Sequence, residues 1–239
     1  MIVSNSGSPL FLCEVQTHCL PDWLDRVCKA VYHLAMKILN SICNCFKSPR
    51  DSTPVPLTTN TNPLRAAGPL NLIAFYREQE ANNNGVTLQQ ILAWDDTRLE
   101  SVHNYIQWLF PLKTVSGPNP TAPILDNSTI QTFQSNPALK NQVLRSFRRM
   151  LTFYGLQMDE GSKLISRAAN FNARASVWLH QPSGHHNFLR ITRILESMKL
   201  LGLNDHCTPF FNVLLDIAHH EGKDAIHATT LGYWRAALA

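Results

Sequence analysis

The stretch of this chain richest in chemistry-bearing side chains runs from Glu100 to Leu112. Glu100 and His103 stand three residues apart, a spacing that puts both side chains on one face of a helix. A carboxylate beside an imidazole can fix helix packing as a hydrogen-bonded pair. It can also form half of a carboxylate–histidine metal site, but such a site needs a second Glu-x-x-His and further carboxylates. The chain holds no second copy. Tyr105, Trp108 and Phe110, with Phe153 and Tyr154 further on, read first as core. The alternative is an aromatic pocket for a peptide or a ring.

A second polar group follows at His186, Arg190 and Arg193. Arg190 and Arg193 share a helix face, with His186 one turn before Arg190. Paired guanidinium groups suit bidentate capture of a phosphate or of a peptide's terminal carboxylate. The candidate ligand site is therefore Glu100, His103, Tyr105, Trp108, His186, Arg190 and Arg193. The adjacent pairs His185–His186 and His219–His220 point about 100° apart on a helix and chelate poorly. Cys207 stands alone and reads as a buried thiol. No Gly-rich phosphate loop and no Gly-x-Ser-x-Gly is present. No cofactor, no metal ion and no catalytic residue is expected.

Charge is distributed unevenly. The chain of 239 residues carries a net charge of only +4 and 16% charged residues, too mild to announce a nucleic-acid binder. Residues 140–199, however, hold ten basic groups against three acidic ones, a balance of +7. The remainder of residues 69–239 holds five basic and ten acidic groups, a balance of −5. Arg145, Arg148, Arg149, Arg167 and Arg174 lie in the basic stretch. They read as ordinary solvated faces or as an anion-facing surface for nucleic acid, phospholipid headgroups or an acidic partner.

These side chains need helices to position them. Hydrophobic residues make up 44% of the chain, a globular composition. Helical spacing is expected over 69–81, from Thr87 to Trp94, and as one helix over 96–110. A proline-bearing loop follows, then a short helix from Asp126 or Ser128. Asn136 and Pro137 start a long helix that Gly155 stops. Helices over 162–180, 185–201, 207–220 and 224–238 complete the chain. No convincing strand pattern is found. The fold class expected is all-α, a compact multi-helix domain over 69–239.

Upstream, residues 21–46 read as an amphipathic helix, its apolar positions recurring every three to four residues from Leu24 to Cys45. It packs on the downstream domain or a partner, or lies in a membrane surface with Cys43 and Cys45 as acylation sites. Lys29, His33 and Lys37 argue against a span. Residues 47–68, with four prolines and many Thr and Asn, read as a linker. The first residues lack the pattern of a signal peptide. With Cys207 alone after Gly68, an intracellular setting is expected, with membrane association as an option.

The run Glu100–Leu112 closely resembles the signature of the opioid growth factor receptor conserved-region family, whose hallmark is Glu-x-x-His-x-Tyr-Ile-Gln-Trp-Leu-Phe-Pro. Phe75, Tyr76 and Arg77 resemble its opening motif. Residues 150–155 resemble the end of its central helix, and 186–195 its second long motif. Leu201, Gly202 and Leu203 follow in order. The resemblance implies an α-helical domain found in a receptor for the peptide Met-enkephalin, and a non-enzymatic binding or receptor module with a peptide ligand. Three other functions stay open on the residues alone. One is a membrane-associated adaptor using 21–46 and basic residues. Another is nucleic-acid binding through 140–199, which would weaken steeply with salt. The last is an enzyme at Glu100, His103, His186 and Arg190, which requires those four side chains to converge.

Overall fold

The computed structural model describes residues 71–117, 119–180, 185–221 and 225–239, His185 by its backbone only. The helix expected over 21–46, with Cys43 and Cys45, and the linker over 47–68 lie outside them. Ten helices and one two-stranded sheet are found among the described residues. They are α1 (Leu72–Tyr76), α2 (Leu88–Leu92), α3 (Asp96–Ser101), α4 (Ile106–Leu109), α5 (Asn127–Ser135) and α6 (Pro137–Tyr154), then β1 (Leu156–Met158) and β2 (Ile165–Arg167), then α7 (Phe171–Trp178), α8 (His185–Leu200), α9 (Asn204–Glu221) and α10 (Ala228–Ala236).

Local chemistry explains most of the helix starts. Asn71, Asp95, Asp126 and Asn136 each accept a first-turn amide with the side chain. Thr87 and Gln90 form a reciprocal capping box. Each such cap satisfies amides that the helix ladder cannot reach. Pro137 occupies the first turn of α6, where its missing N–H is no loss. At its other end Gly155 adopts the left-handed conformation, φ 73°, and its amide returns to Thr152 and Leu151 carbonyls.

Two expectations are corrected. Residues 96–110 are not one helix. The chain leaves the α conformation at Val102 (φ −92°, ψ 132°) and resumes at Ile106. Residues 162–180 are helical only from Phe171; before that, β1 and β2 pair antiparallel, Gln157 opposite Ser166. The hairpin is closed by Asp159, whose carboxylate accepts from both the Ser162 amide and hydroxyl, and by Lys163 at φ 59°. Strands of three residues are too short to display a period of two. Smaller shifts also occur. α1 ends at Tyr76, with Glu78 at φ 59°, and α9 begins at Asn204 and runs through Pro209.

One apolar core holds these elements together. Its largest buried side chains include Trp108, Trp178, Trp234, Tyr105, Tyr154, Phe75 and Phe110. An edge-to-face series crosses four helices: Tyr154 on Trp178 at 5.2 Å, Trp178 on Phe188 at 6.3 Å, and Phe188 on Trp234 at 5.7 Å between ring centres. That geometry suits the aromatic quadrupole. Tyr105 and Trp108 are thus core, as their first reading had it.

The turn after α6 is where sequence and packing meet most tightly. A Cβ on Gly155 would stand 2.8 Å from the Phe171 Cα and 2.9 Å from the Arg174 Cβ. A Cβ on Gly85, also left-handed, would meet nothing within 4 Å. Gly155→Ala is therefore expected to destabilise by about 3 kcal/mol and Gly85→Ala by about 1 kcal/mol, read from urea unfolding midpoints. Equal losses at the two sites would contradict this account of the turn.

Candidate functional site

The break at Val102 turns the Glu100–His103 segment toward α8. Because α3 ends at Ser101, the two residues do not share a helix face as expected. They meet through α8 instead. The Glu100 Oε1 atom lies 3.0 Å from His186 Nε2. Asn187 Nδ2 donates to the same carboxylate at 3.1 Å. The Arg190 Nη1 atom stands 3.6 Å from Glu100 Oε2 and donates to Asn187 Oδ1 at 3.1 Å. Its Nη2 donates to the Val102 carbonyl at 3.0 Å. The His103 ring lies 5.2 Å from the His186 ring. Glu100, His103, His186 and Arg190 therefore converge.

They do not converge as open reagents. Arg190 is 4% exposed, its guanidinium above the Tyr105 ring and engaged on both sides. Arg193 donates to the Phe110 carbonyl at 3.2 Å. Both arginines hold the carbonyls that end α3 and α4, rather than presenting a fork for a ligand carboxylate. What reaches solvent is the Glu100 carboxylate, 27% exposed, the edge of His186 at 28%, and the exposed His103. Tyr105 and Trp108 stand behind them, at 0% and 1% exposure.

The electrostatics follow from that arrangement. Burial pushes the Glu100 carboxyl upward. The hydrogen bonds from His186 and Asn187, with the charges of His186 and Arg190, outweigh it and hold the group below its ordinary value. For His103, burial acts first and the Arg190 and His186 charges add to it, so its imidazole is held below the usual histidine range. Burial pushes Tyr105 up to about 12. The hydroxyl of Tyr154 is buried without a hydrogen-bond partner, and burial raises it well above its normal value. Among the described residues, no three His, Cys, Asp or Glu side chains are grouped to hold a metal ion.

The basic stretch is drawn into the fold. Arg145 pairs with Glu78 at 2.9 Å, and Arg148 binds both oxygens of Glu160 at 2.6 Å. Arg149 and Arg174 share Asp96, at 2.7 and 3.3 Å. They also donate to the Trp94 and Phe153 carbonyls, each at 2.7 Å. Arg167 reaches Glu221 at 3.0 Å and Asp216 at 3.6 Å. Except for Glu160, these carboxylates come from the acidic remainder of the domain. The charge separation along the sequence is thus cancelled in space by pairing between segments. Cys207 is buried and its thiol is pushed up to about 11 by burial, an inert state.

Sequence reasoning missed Asn187 and the Val102 carbonyl, the two groups that connect Glu100 to Arg190. Asn187 is fully buried, and its position three residues before Arg190 was the available signal.

Residues 66–239 match the family described as the opioid growth factor receptor (OGFr) conserved region. The opioid growth factor receptor of Rattus norvegicus is 37% identical over 150 residues, which is 60% of this chain and 25% of that protein. The Homo sapiens protein of the same name is 37% identical over 149 residues, 60% of this chain and 21% of its own length. Opioid growth factor receptor-like protein 1 of Xenopus tropicalis is 33% identical over 160 residues, 65% of this chain and 30% of its own. The matched stretch therefore spans less than a third of each of these relatives. No solved structure matches the chain.

The network makes a pH prediction. Glu100 is held down in the folded state, so its contribution is present above the unfolded carboxylate value and disappears as pH falls through the folded one. His103 is also held down, so protonation below about pH 6.5 favours the unfolded chain. Both effects lower stability in acid. Glu100→Gln should cost about 2 kcal/mol near neutrality, a buried-pair loss reduced for the partial exposure of Glu100. The gap between the two proteins should close as pH falls below the ordinary carboxylate value and through the lowered one of folded Glu100, measured by urea unfolding across pH. A gap independent of pH would contradict the role given to Glu100.

Proposed function

The chain belongs to the opioid growth factor receptor conserved-region family, and from that premise we propose that it is a non-catalytic receptor-type module that binds a short peptide. The contact surface is Glu100, His103 and His186. Arg190, Asn187 and Arg193 position it from behind, with Tyr105 and Trp108 as its packed floor.

One observation carries this reading. The Glu100 carboxylate is held ionised by buried donors and is still more than a quarter exposed, beside two imidazoles. Such a carboxylate suits the ammonium group at a peptide N-terminus. The imidazole rings offer a face to an aromatic side chain. The same features disfavour catalysis. A general acid or base works best with a pKa near the operating pH, and Glu100 is held the other way. Anchoring by buried neighbours keeps the surface in one geometry before ligand arrives, which lowers the ordering cost of binding. Relatives bearing the receptor name support a ligand-binding reading. The pairing of the 140–199 arginines with carboxylates removes the main support for a nucleic-acid or membrane surface there.

Calorimetric titration of the full chain with Met-enkephalin, against a scrambled peptide, tests the proposal. Saturable binding at micromolar Kd or tighter is expected, absent for the scrambled peptide. His103→Ala, at an exposed position, is expected to weaken it about tenfold, or ~1.4 kcal/mol. Absent heat, or equal heat from the scrambled peptide, overturns the proposal.

A further inference from the structure

The fixed charges of the Glu100 cluster cancel. Glu100 supplies one negative charge and Arg190 one positive, 3.6 Å apart. The other members are imidazoles. His186 stands 3.0 Å from the carboxylate, and the His103 ring lies 5.2 Å from the His186 ring. Imidazole is the side chain whose charge changes closest to neutral pH. The sign of this surface therefore follows its protons.

The groups around His103 decide what a proton there meets. Arg190 and His186 face it from α8, Glu100 faces it from α3, and the Ser101 backbone hydrogen-bonds to it. Arg190 cannot give up its own proton. At 4% exposure its guanidinium is pinned by Asn187 and the Val102 carbonyl, so it cannot swing away from a new cation. The Glu100 carboxylate is already engaged by His186, Asn187 and Arg190. A proton on His103 thus enters a site whose negative charge is committed. Burial and the Arg190 and His186 charges oppose it, so the ring is neutral near pH 7. His103 is exposed, and a proton reaches it directly from solvent.

We propose, resting on the receptor reading above, that His103 is a proton gate on the Glu100 site: its neutral ring admits the ammonium of a peptide terminus, and its protonated ring repels it. An ammonium seated on Glu100 stands close to both rings. One added like charge at that range, partly exposed to solvent, corresponds to about a tenfold loss of affinity. Two other titrations act differently. Glu100 is held ionised below its ordinary range, so it stays charged where imidazoles titrate. The peptide amine, with an ordinary value of about 8, gains charge as pH falls and by itself tightens binding. Loss of affinity in mild acid therefore points to an imidazole.

Calorimetric titration of the full chain with Met-enkephalin at about pH 7.5 and about pH 5.5, either side of the imidazole range, tests the gate at constant ionic strength. Affinity is expected to fall about tenfold between the two. His103→Gln keeps a neutral polar side chain at this exposed position. Its affinity is expected to stay level or rise over the same interval. By reciprocity, saturating peptide should lower the His103 midpoint in imidazole NMR spectra by about one pH unit. That midpoint belongs to the folded chain, so acid unfolding does not imitate it. Binding that holds or tightens in acid, or that weakens equally in His103→Gln, overturns the gate and leaves the receptor reading standing. No binding at either pH overturns both.

Discussion

Every α-helix ends with carbonyls that its own ladder cannot satisfy, and a fold assembled from many short helices multiplies that problem. Here the answer is supplied by long side chains from distant elements. Arg190 donates to the Val102 carbonyl at the end of α3, and Arg193 to Phe110 at the end of α4. Arg149 donates to Trp94 just past α2, and Arg174 to Phe153 in the last turn of α6. Tyr76 donates to Leu109, Trp178 to Tyr154 and Gln134 to Leu200. A buried carbonyl left unpaired would cost a large share of a domain's net stability. These donors are therefore what allows the segment 96–110 to break and turn inside the core.

That constraint also explains the shape of the Glu100 cluster. Arg190 can be buried only if its charge is matched, and Glu100 with Asn187 provides the match. The same carboxylate then draws His186 to within 3.0 Å. A structural need, closing the end of α3, thus leaves a fixed anionic group at the surface against His186, whose ring neighbours that of His103. Recognition of a peptide is proposed to exploit a geometry that packing already required.

Much of the fold was legible in the sequence. Asn136–Pro137 and Gly155 bracket α6 as their types demand, and Thr87 caps α2. The aromatic residues of 105–110 were readable as core because their number exceeds what a surface would hold. The break at Val102 was not readable. Leu99, Val102 and Ile106 keep helical spacing across it, and the carbonyl it frees is met by an arginine 88 residues away. The β-hairpin was hidden by its short strands. The fate of the basic stretch was equally hidden, since local charge says nothing about partners that folding brings from Glu78, Asp96 or Glu221. For the site, Glu100, His103, His186 and Arg190 were identifiable as a set, but the division into exposed and buried members was not. It depends on which face of α8 meets the core.

The central claim is that Arg190 latches the end of α3 and so holds the Glu100 cluster together. Native-state hydrogen exchange of Arg190→Met, compared with the unaltered chain, reads this directly. Methionine preserves much of the side-chain length and apolar packing while removing the donors. The account predicts that amides over 99–110 lose protection by about tenfold or more, while those in the middle of α9 change only with global stability. Protection over 99–110 that falls no further than that of α9 would contradict it.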